Sequence, residues 1–254
     1  MSSPKPQYIA NLIFKEAKGD SFVDLRSIIH DVISDHGLIS SEELIWDYID
    51  DSLEDIVNEL YEKISSSKEK GIQSTIDLEK EGDTYYVKCN KPSYAPLLDA
   101  LYTINPNQFE CFCATIINYL GGKGRVNGGP SDGGIDFIGE DLLLPGINTR
   151  SLMSQRCTII GQSKHYVDGH NVCLNECREF IGAAVKYRDD MPKSQIRKFQ
   201  PFIYAYWTTS DFHKDASLYL NSLGVWTLNG LQLSALAKDL KITQDMIMSL
   251  PEKI

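Results

Sequence analysis

The chain has 254 residues, of which 42% are apolar and 24% are charged, and its formal net charge is −10 at pH 7. This apolar content is enough for a hydrophobic core and excludes an intrinsically disordered chain. No apolar run approaches the roughly 20 residues that cross a bilayer, and the first residues lack the apolar stretch of a secretion signal. We therefore expect a cytoplasmic protein that does not interact with membranes.

The negative charge is concentrated in the first third of the chain. Residues 1–92 contain 10 Lys and Arg against 19 Asp and Glu, whereas residues 93–254 contain 15 against 16. A nearly neutral C-terminal part can still concentrate positive potential in one cleft. The chain thus divides into an acidic part and a part whose charge is compatible with an anionic substrate.

The acidic part is predicted to be a small helical domain that ends in a β-hairpin. Apolar residues at helical spacing predict the helices, and alternating apolar residues predict the strands. The predicted segments are a loose arm over 1–8, helices over 21–36 and from Ser40 or Ser41 to Ile64, and strands over 72–78 and 84–89. A break in the second helix is predicted near 50–52, and residues 79–83 form the hairpin turn.

Helices followed by a hairpin indicate a winged-helix-like domain over residues 1–90, and residues 90–96 are predicted to be a linker. One interpretation of this domain is DNA recognition. The alternative is a protein-interaction or packing module. The acidity favours the alternative, because a DNA-reading surface neutralises phosphates with Lys and Arg.

The second domain, residues 97–254, is predicted to follow the order α-β-β-β-α-β-α-β-α, which implies an α/β fold with a mixed sheet flanked by helices. Asn105 and Pro106 predict the start of its first helix, and Gly121 predicts its end after Leu120. The other predicted segments are strands over 123–127, 135–139, 157–166, 201–207 and 225–228, helices over 171–188, 211–223 and 231–240, a turn over 128–134, a loop or hairpin over 140–156 and a polar connection over 189–200.

Two stretches of this domain place polar groups beside buried strands. Asp136 follows a glycine-rich turn, and Gln162 and Lys164 share one strand face while Ser163 points away, because side chains alternate along a strand. A carboxylate, an amide oxygen and an ammonium can together hold a divalent cation and a water beside a phosphodiester. We expect Asp136, Gln162 and the backbone carbonyl of Ser163 to bind the metal. Lys164 would orient or deprotonate the water, or stabilise the developing negative charge.

Each of these signals also has an ordinary structural explanation. An Asp at a turn is commonly a capping residue, and a Lys in a strand is commonly solvated. Glu110, judged by its spacing alone, is a solvated acid that favours the N-terminal dipole of its helix. Lys123 and Arg125 are predicted to contact DNA phosphates. The polar end of the otherwise apolar strand over 157–166 favours a functional site.

The sequence Asp-Gly-Gly-Ile-Asp at 132–136, followed by Gln162-x-Lys164, resembles the catalytic motif of the Mrr-type restriction endonucleases. These form a branch of the PD-(D/E)xK nuclease superfamily, and the branch has Gln where most of the superfamily has an acid. The chain also resembles this branch at 109–110, 179–183, 206–212 and 226–233. The resemblance covers residues 97–240.

The resemblance implies a restriction-endonuclease-like fold, metal positions at Asp136 and Gln162, and a catalytic lysine at Lys164. It also implies that Glu110 is a catalytic and metal-binding residue. The implied cofactor is Mg²⁺, with Mn²⁺ as an alternative. The implied activity is that of a type IV or type II restriction endonuclease, which hydrolyses phosphodiester bonds of foreign or modified DNA in antiviral defence.

Cleavage of both DNA strands needs two sites, so a homodimer or a larger assembly is expected. The acidic N-terminal domain does not match the DNA-reading domain of the Mrr branch. An alternative function is therefore a nuclease effector, or a DNA-binding subunit, of a multi-protein defence system. In that case residues 1–90 would bind a companion protein or sense a signal.

Overall fold

The computed structural model describes residues 3–16, 21–90, 92–127, 134–143, 156–166, 170–192 and 200–252. The chain divides mainly between Ala95 and Pro96 into two compact units. Within the described ranges, no helix has the length and apolar character needed to cross a membrane.

The N-terminal unit combines three helices with a small antiparallel sheet. Its elements are α1 (Pro6–Glu16), β1 (Val23–Asp24), α2 (Leu25–Asp35), α3 (Glu42–Glu69), β2 (Ile76–Glu81) and β3 (Thr84–Cys89). The strands lie in the order β1-β3-β2, and β2 and β3 form a hairpin. Apolar residues from all three helices and from the hairpin form the core of this unit, among them Ile13, Leu25, Ile29, Ile49, Leu60, Ile76 and Val87.

Three predictions for this unit were wrong. The loose arm over 1–8 is not observed beyond its start, because α1 begins at Pro6 and buries Ile9 and Ile13. The predicted break near 50–52 is absent, because the apolar stripe of α3 continues and no Gly or Pro interrupts it. The helix predicted over 21–36 begins only at Leu25, where the Asp24 side chain accepts a hydrogen bond from the Arg26 amide.

The C-terminal unit contains a five-stranded mixed sheet in the order β4-β5-β6-β7-β8. Its elements are α4 (Ala95–Thr103), α5 (Pro106–Tyr119), β4 (Lys123–Val126), β5 (Phe137–Leu143), β6 (Arg156–Lys164), α6 (Leu174–Asp190), β7 (Phe202–Thr208), α7 (Lys214–Ser222), β8 (Trp226–Leu228), α8 (Gly230–Asp239) and α9 (Gln244–Met248). Strands β4, β5 and β6 pair antiparallel, and β6, β7 and β8 pair parallel.

Helices cover both faces of this sheet, so the predicted α/β fold is confirmed. On one face, Ile159 of β6 and Trp207 of β7 pack in the same apolar cluster as Phe112 of α5 and Leu233 of α8. On the other face, the cluster that contains Ile160 is built from α6 and α7. The alternation of Ile159 and Ile160 shows that β6 is buried on both sides, as its apolar run indicates.

Several element boundaries differ from the prediction. Helices α4 and α9 were not predicted; the prolines before Leu97 indicated a linker, but Pro96 lies in the first turn of α4, where its missing amide costs nothing. Strand β5 continues to Leu143 and includes the start of the segment over 140–156. The predictions for 128–133, 144–155 and 193–199 lie outside the described residues.

Candidate functional site

Strand β6 presents Gln162 and Lys164 on the face that α6 covers. Ile160 packs in one cluster with Cys177 and Phe180 of α6. Because side chains alternate along a strand, Gln162 and Lys164 extend the row that begins with Ile160. The Ser163 side chain points to the opposite side of the strand from Gln162 and Lys164.

Asp136 is fixed to this strand end by Ser163. The Asp136 carboxylate oxygen Oδ2 accepts hydrogen bonds from the Ser163 amide at 2.7 Å and from the Ser163 hydroxyl at 3.2 Å. The backbone amide of Asp136 donates to the Gly161 carbonyl at 2.9 Å, which closes the pairing of β5 with β6. The Ser163 amide lies beyond this pairing and can therefore bind a side chain. We expected a metal-binding carbonyl from Ser163; its observed contribution is to orient Asp136.

The Gln162 side chain is only 9% exposed, and its carbonyl oxygen Oε1 has no hydrogen-bond partner among the described residues. An unsatisfied buried carbonyl costs about 1–3 kcal/mol, so this oxygen is available to a ligand. The turn before β5 passes close by: a Cβ placed on Gly134 would lie 3.7 Å from Gln162 Nε2. Gly134 has φ +84°, a conformation that favours glycine.

These donors suit a hard divalent cation, because a carboxylate and an amide oxygen are the ligand types that Mg²⁺ accepts. Over the described ranges, no group of three or more His, Cys, Asp or Glu residues could hold a metal ion. A cation at this site would thus depend on the neutral oxygen of Gln162 as well as on acidic side chains.

Glu110 lies in the early turns of α5 and is half-buried. Burial raises the pKa of the Cys113 thiol, and the negative charges of Asp136 and Glu110 raise it further. Both acids are therefore within electrostatic range of the same buried thiol. Helical spacing alone does not predict that these two acids act on one buried thiol.

A second acid, Glu176, accepts a hydrogen bond from Tyr166, two residues after Lys164, and was not predicted. It occupies the first turn of α6, where Oε2 accepts a hydrogen bond from the Cys173 amide at 2.9 Å and Oε1 accepts one from the Tyr166 hydroxyl. Burial alone would raise the pKa of Glu176, but the hydrogen bonds and the attraction of Lys164 outweigh it and leave the pKa lowered. The sequence signal for this residue is its position three residues after the helix N-cap, where a capping box places an acid.

The two predicted phosphate contacts lie on the edge strand β4 and are paired with acids. Lys123 is 3.0 Å from Asp141, and Arg125 is 3.6 Å from Glu140. Asn127, the residue after β4, lies opposite Asp136, because its backbone amide donates a hydrogen bond to the Asp136 carbonyl. At roughly 3.3 Å per residue, Lys123 lies about 13 Å along the strand from Asn127. The structure therefore does not bring Lys123 together with Asp136, and Arg125 lies nearer.

The strand end at Lys164 is held by two threonines that precede the helix predicted over 211–223. The Thr208 hydroxyl and the Thr209 amide both donate to the Lys164 carbonyl, at 2.9 and 3.1 Å. The Tyr166 amide donates to the Thr209 hydroxyl at 2.8 Å. Helix α7 begins only at Lys214, three residues after the predicted start at 211.

No family model matches the sequence, and no curated protein matches it. Two solved structures are similar to part of the chain. One is the MspJI restriction endonuclease in complex with a 27-mer oligonucleotide, with a TM-score of 0.42 and 19% identity, over 61% of this chain and 33% of that one. The other is the DNA modification-dependent restriction endonuclease AspBHI, with a TM-score of 0.44 and 17% identity, over 63% of this chain and 39% of that one. The chain thus spans well under half the length of either.

Proposed function

We propose that the C-terminal unit is a metal-dependent DNA endonuclease and that the protein restricts foreign or modified DNA in the cytoplasm. The observation that carries this proposal is the buried Gln162 carbonyl oxygen, which has no partner among the described residues. The next residue, Ser163, fixes the Asp136 carboxylate, and Lys164 shares the strand face of Gln162. A buried polar oxygen without a structural use, next to these two groups, is typical of a site that binds a ligand.

The proposed cofactor is Mg²⁺, with Mn²⁺ as an alternative. Asp136 and Gln162 would hold it, together with Glu110 and the Ser163 carbonyl. Such a cation, when bound, polarises the phosphodiester and acidifies a water. Ser163 keeps the Asp136 carboxylate oriented toward the strand end. Lys164 either orients or deprotonates the attacking water, or donates hydrogen bonds to the phosphate oxygens as negative charge develops.

A glutamine in place of an acid removes one negative charge from the ligand set. We therefore infer that the metal binds weakly to the free protein and more tightly once a DNA phosphate supplies a further oxygen. Calorimetric titration of Mn²⁺ with and without a non-cleavable duplex tests this inference. Equal affinity in the two titrations would contradict it.

The activity itself is tested by nicking of supercoiled plasmid, methylated and unmethylated, with Mg²⁺ or Mn²⁺. We expect metal-dependent nicking by the wild type and none by Asp136→Ala or Lys164→Ala. Lys186→Ala is the matched control, since Lys186 is an exposed lysine of α6. Nicking that survives in both site variants would contradict the proposed site, and a wild type inactive on both substrates would contradict the stand-alone enzyme.

A second candidate function is a nuclease effector or DNA-binding subunit that acts with a companion protein. Helix α3 favours it, because residues 42–62 contain nine acids and no Lys or Arg. Such a surface repels DNA, so the N-terminal unit would bind protein or sense a signal. Stable co-purification with a neighbour-encoded protein, lost on deletion of residues 1–90, would support this function. Light scattering would show whether the chain forms the proposed homodimer.

A further inference from the structure

Tyr206 of β7 is the neighbour of Gln162 across the sheet. The two residues pair in register where β6 and β7 run parallel. Residues paired across neighbouring strands present their side chains on the same face, and Tyr206 packs in the apolar cluster that contains Ile160. Gln162 lies on that face too, since it follows Ile160 by two residues. The side chains of Gln162 and Tyr206 are therefore adjacent on the face that α6 covers.

The Tyr206 hydroxyl is buried and has no structural use. Tyr206 is 0% exposed, and its hydroxyl lacks a hydrogen-bond partner among the described residues. Two edge-on rings fix the side chain, Phe180 at 5.2 Å and Phe212 at 5.8 Å between ring centroids. A phenylalanine would make the same ring contacts without burying an unpaired polar atom, which costs free energy. Packing thus explains the ring of Tyr206 but not its hydroxyl.

The Gln162 carbonyl and the Tyr206 hydroxyl are thus buried oxygens on paired residues, and neither has a partner within the described ranges. Buried polar atoms without partners are uncommon, so two on adjacent side chains indicate one ligand that serves both. The carbonyl can only accept or coordinate, whereas the hydroxyl can both donate and accept. Burial raises the pKa of Tyr206, and nearby negative charges, among them those of Glu176 and Asp136, raise it further. The hydroxyl therefore adds a hydrogen-bonding group to the site without adding charge.

We propose that Tyr206 is a positioning residue of the candidate site, whose hydroxyl fixes a water of the divalent cation that Gln162 binds. Mg²⁺ keeps several of its waters when a protein binds it, and those waters need hydrogen-bond acceptors. The Tyr206 oxygen accepts from one of them, beside the coordinating oxygen of Gln162. This inference rests on the proposed function for the identity of the ligand, whereas the pairing of Tyr206 with Gln162 does not depend on it.

The binding test compares Tyr206→Phe with Tyr204→Phe. Both variants lose one hydroxyl from the same strand face, but Tyr204 pairs with the apolar Ile160 instead of Gln162. Mn²⁺ is titrated by calorimetry in the presence of a non-cleavable duplex. We expect Tyr206→Phe to bind Mn²⁺ about 10-fold more weakly, because removal of a group that supports a metal site costs at least such a factor. We expect Tyr204→Phe to bind Mn²⁺ as the wild type does.

The stability of the metal-free protein distinguishes this role from a structural one. Tyr206→Phe should have a Tm at or above that of the wild type, since the hydroxyl that it removes has no partner within the described ranges. A Tm below that of the wild type would show that the hydroxyl has a structural partner and would overturn the proposal.

A further measurement follows the hydroxyl itself and does not depend on activity. In protein labelled with ¹³C at tyrosine Cζ, the signals of Tyr206 and Tyr204 are assigned by their loss in the two phenylalanine variants. With the duplex present, we expect added Mg²⁺ to shift the Tyr206 signal and to leave the Tyr204 signal in place. In Gln162→Met, added Mg²⁺ should no longer shift the Tyr206 signal. A wild-type Tyr206 signal that Mg²⁺ does not move, or an affinity for Mn²⁺ that Tyr206→Phe does not change, would overturn the proposal.

The two proposals fail separately. If the wild type nicks DNA with Mg²⁺ but the cation does not move the Tyr206 signal, the nuclease stands and the role of Tyr206 is refuted. If the wild type does not nick DNA but Mg²⁺ shifts the Tyr206 signal and Gln162→Met abolishes the shift, the role of Tyr206 stands and the nuclease is refuted.

Discussion

Ser163 holds Asp136 with two donors, its amide at 2.7 Å and its hydroxyl at 3.2 Å, and both reach the same carboxylate oxygen. Ser163 lies between Gln162 and Lys164, so one strand end carries two groups of the candidate site and orients the third. The relative position of the three groups therefore depends on the backbone of β6, which is buried and paired on both sides.

Ser163→Ala should distinguish the contributions of the two donors, because it removes the hydroxyl and keeps the amide. We expect a loss of about 1 kcal/mol in the free energy of unfolding, the typical value of one hydrogen bond. The rate of DNA cleavage should fall far less than in Asp136→Ala, since the shorter bond from the amide remains. Urea unfolding and initial nicking rates measure the two effects. If Ser163→Ala were as inactive as Asp136→Ala, the hydroxyl would have a role beyond orientation.

Gln162→Met should stabilise the protein and abolish its activity. Methionine is close to glutamine in shape, and the substitution removes a buried carbonyl oxygen that lacks a partner. We expect the free energy of unfolding to rise by about 1 kcal/mol. This is below the full cost of about 1–3 kcal/mol for an unsatisfied buried polar group, because the amide nitrogen is removed too. Thermal unfolding and the nicking assay measure the two effects.

The control for this experiment is Gln108→Met. Gln108 is buried to a similar degree, but its oxygen accepts from the Asn105 amide and its nitrogen donates to the Leu250 carbonyl. This variant should lose stability, because it leaves two partners without hydrogen bonds. A destabilised Gln162→Met would show that Gln162 has a structural partner after all.

The fold followed from the sequence where the local pattern and the tertiary packing agree. Asn105 predicted the start of α5, and it forms a complete capping box with Gln108. The apolar run of β6 predicted a buried strand, and the strand is buried on both faces. Helix α4 was missed because prolines indicated a linker, and burial of Leu98 and Leu101 decided the outcome.

The candidate site was predictable only where its residues are close in sequence. The shared face of Gln162 and Lys164 follows from their spacing of two. The contact of Asp136 with Ser163 and that of Tyr166 with Glu176 depend on how the strand and the helix pack. Glu176 carried a capping signal that explains one of its oxygens, and nothing in the spacing indicates that the other accepts from Tyr166.

Gly161→Ala should destabilise the C-terminal unit, because a Cβ at this position would lie 2.1 Å from the Phe137 ring. The ring is fully buried and cannot move without disturbing its contact with Trp207. Overpacking of this kind costs about 1–3 kcal/mol. Gly182→Ala is the control, because Gly182 lies within α6 with open space around it. Alanine there should raise the free energy of unfolding by about 0.5–1 kcal/mol. Chemical denaturation of both variants gives the comparison, and a neutral Gly161→Ala would contradict the observed packing.

The lowered pKa of Glu176 predicts a pH-dependent contribution to stability. A carboxyl whose pKa is lower in the folded state stabilises the protein above the pKa of the unfolded chain, about 4.3 for Glu. This contribution is lost as the pH falls through the folded-state pKa. The wild type should therefore have a higher Tm than Glu176→Gln at neutral pH, and the difference should shrink in acid below that value. A difference in Tm that does not change between pH 7 and pH 3 would contradict the lowered pKa.

The exposed acids of α3 should reduce the stability of the N-terminal unit. Asp47, Asp51 and Asp55 follow one another at intervals of four residues on the exposed face of the helix, so each repels the next. Asp51→Lys replaces two repulsive pairs by two attractive ones, and at about 0.2–0.5 kcal/mol per pair the gain should be on the order of 1 kcal/mol. Asp51→Asn should give about half of that gain. Since salt screens exposed charges, the gain should be largest at low ionic strength and small in about 1 M salt, where the screening length is about 3 Å. Thermal unfolding at the two salt concentrations measures it. A gain in stability that persists in high salt would have to come from helix propensity. Repulsion among the acids of α3 would then not destabilise the N-terminal unit.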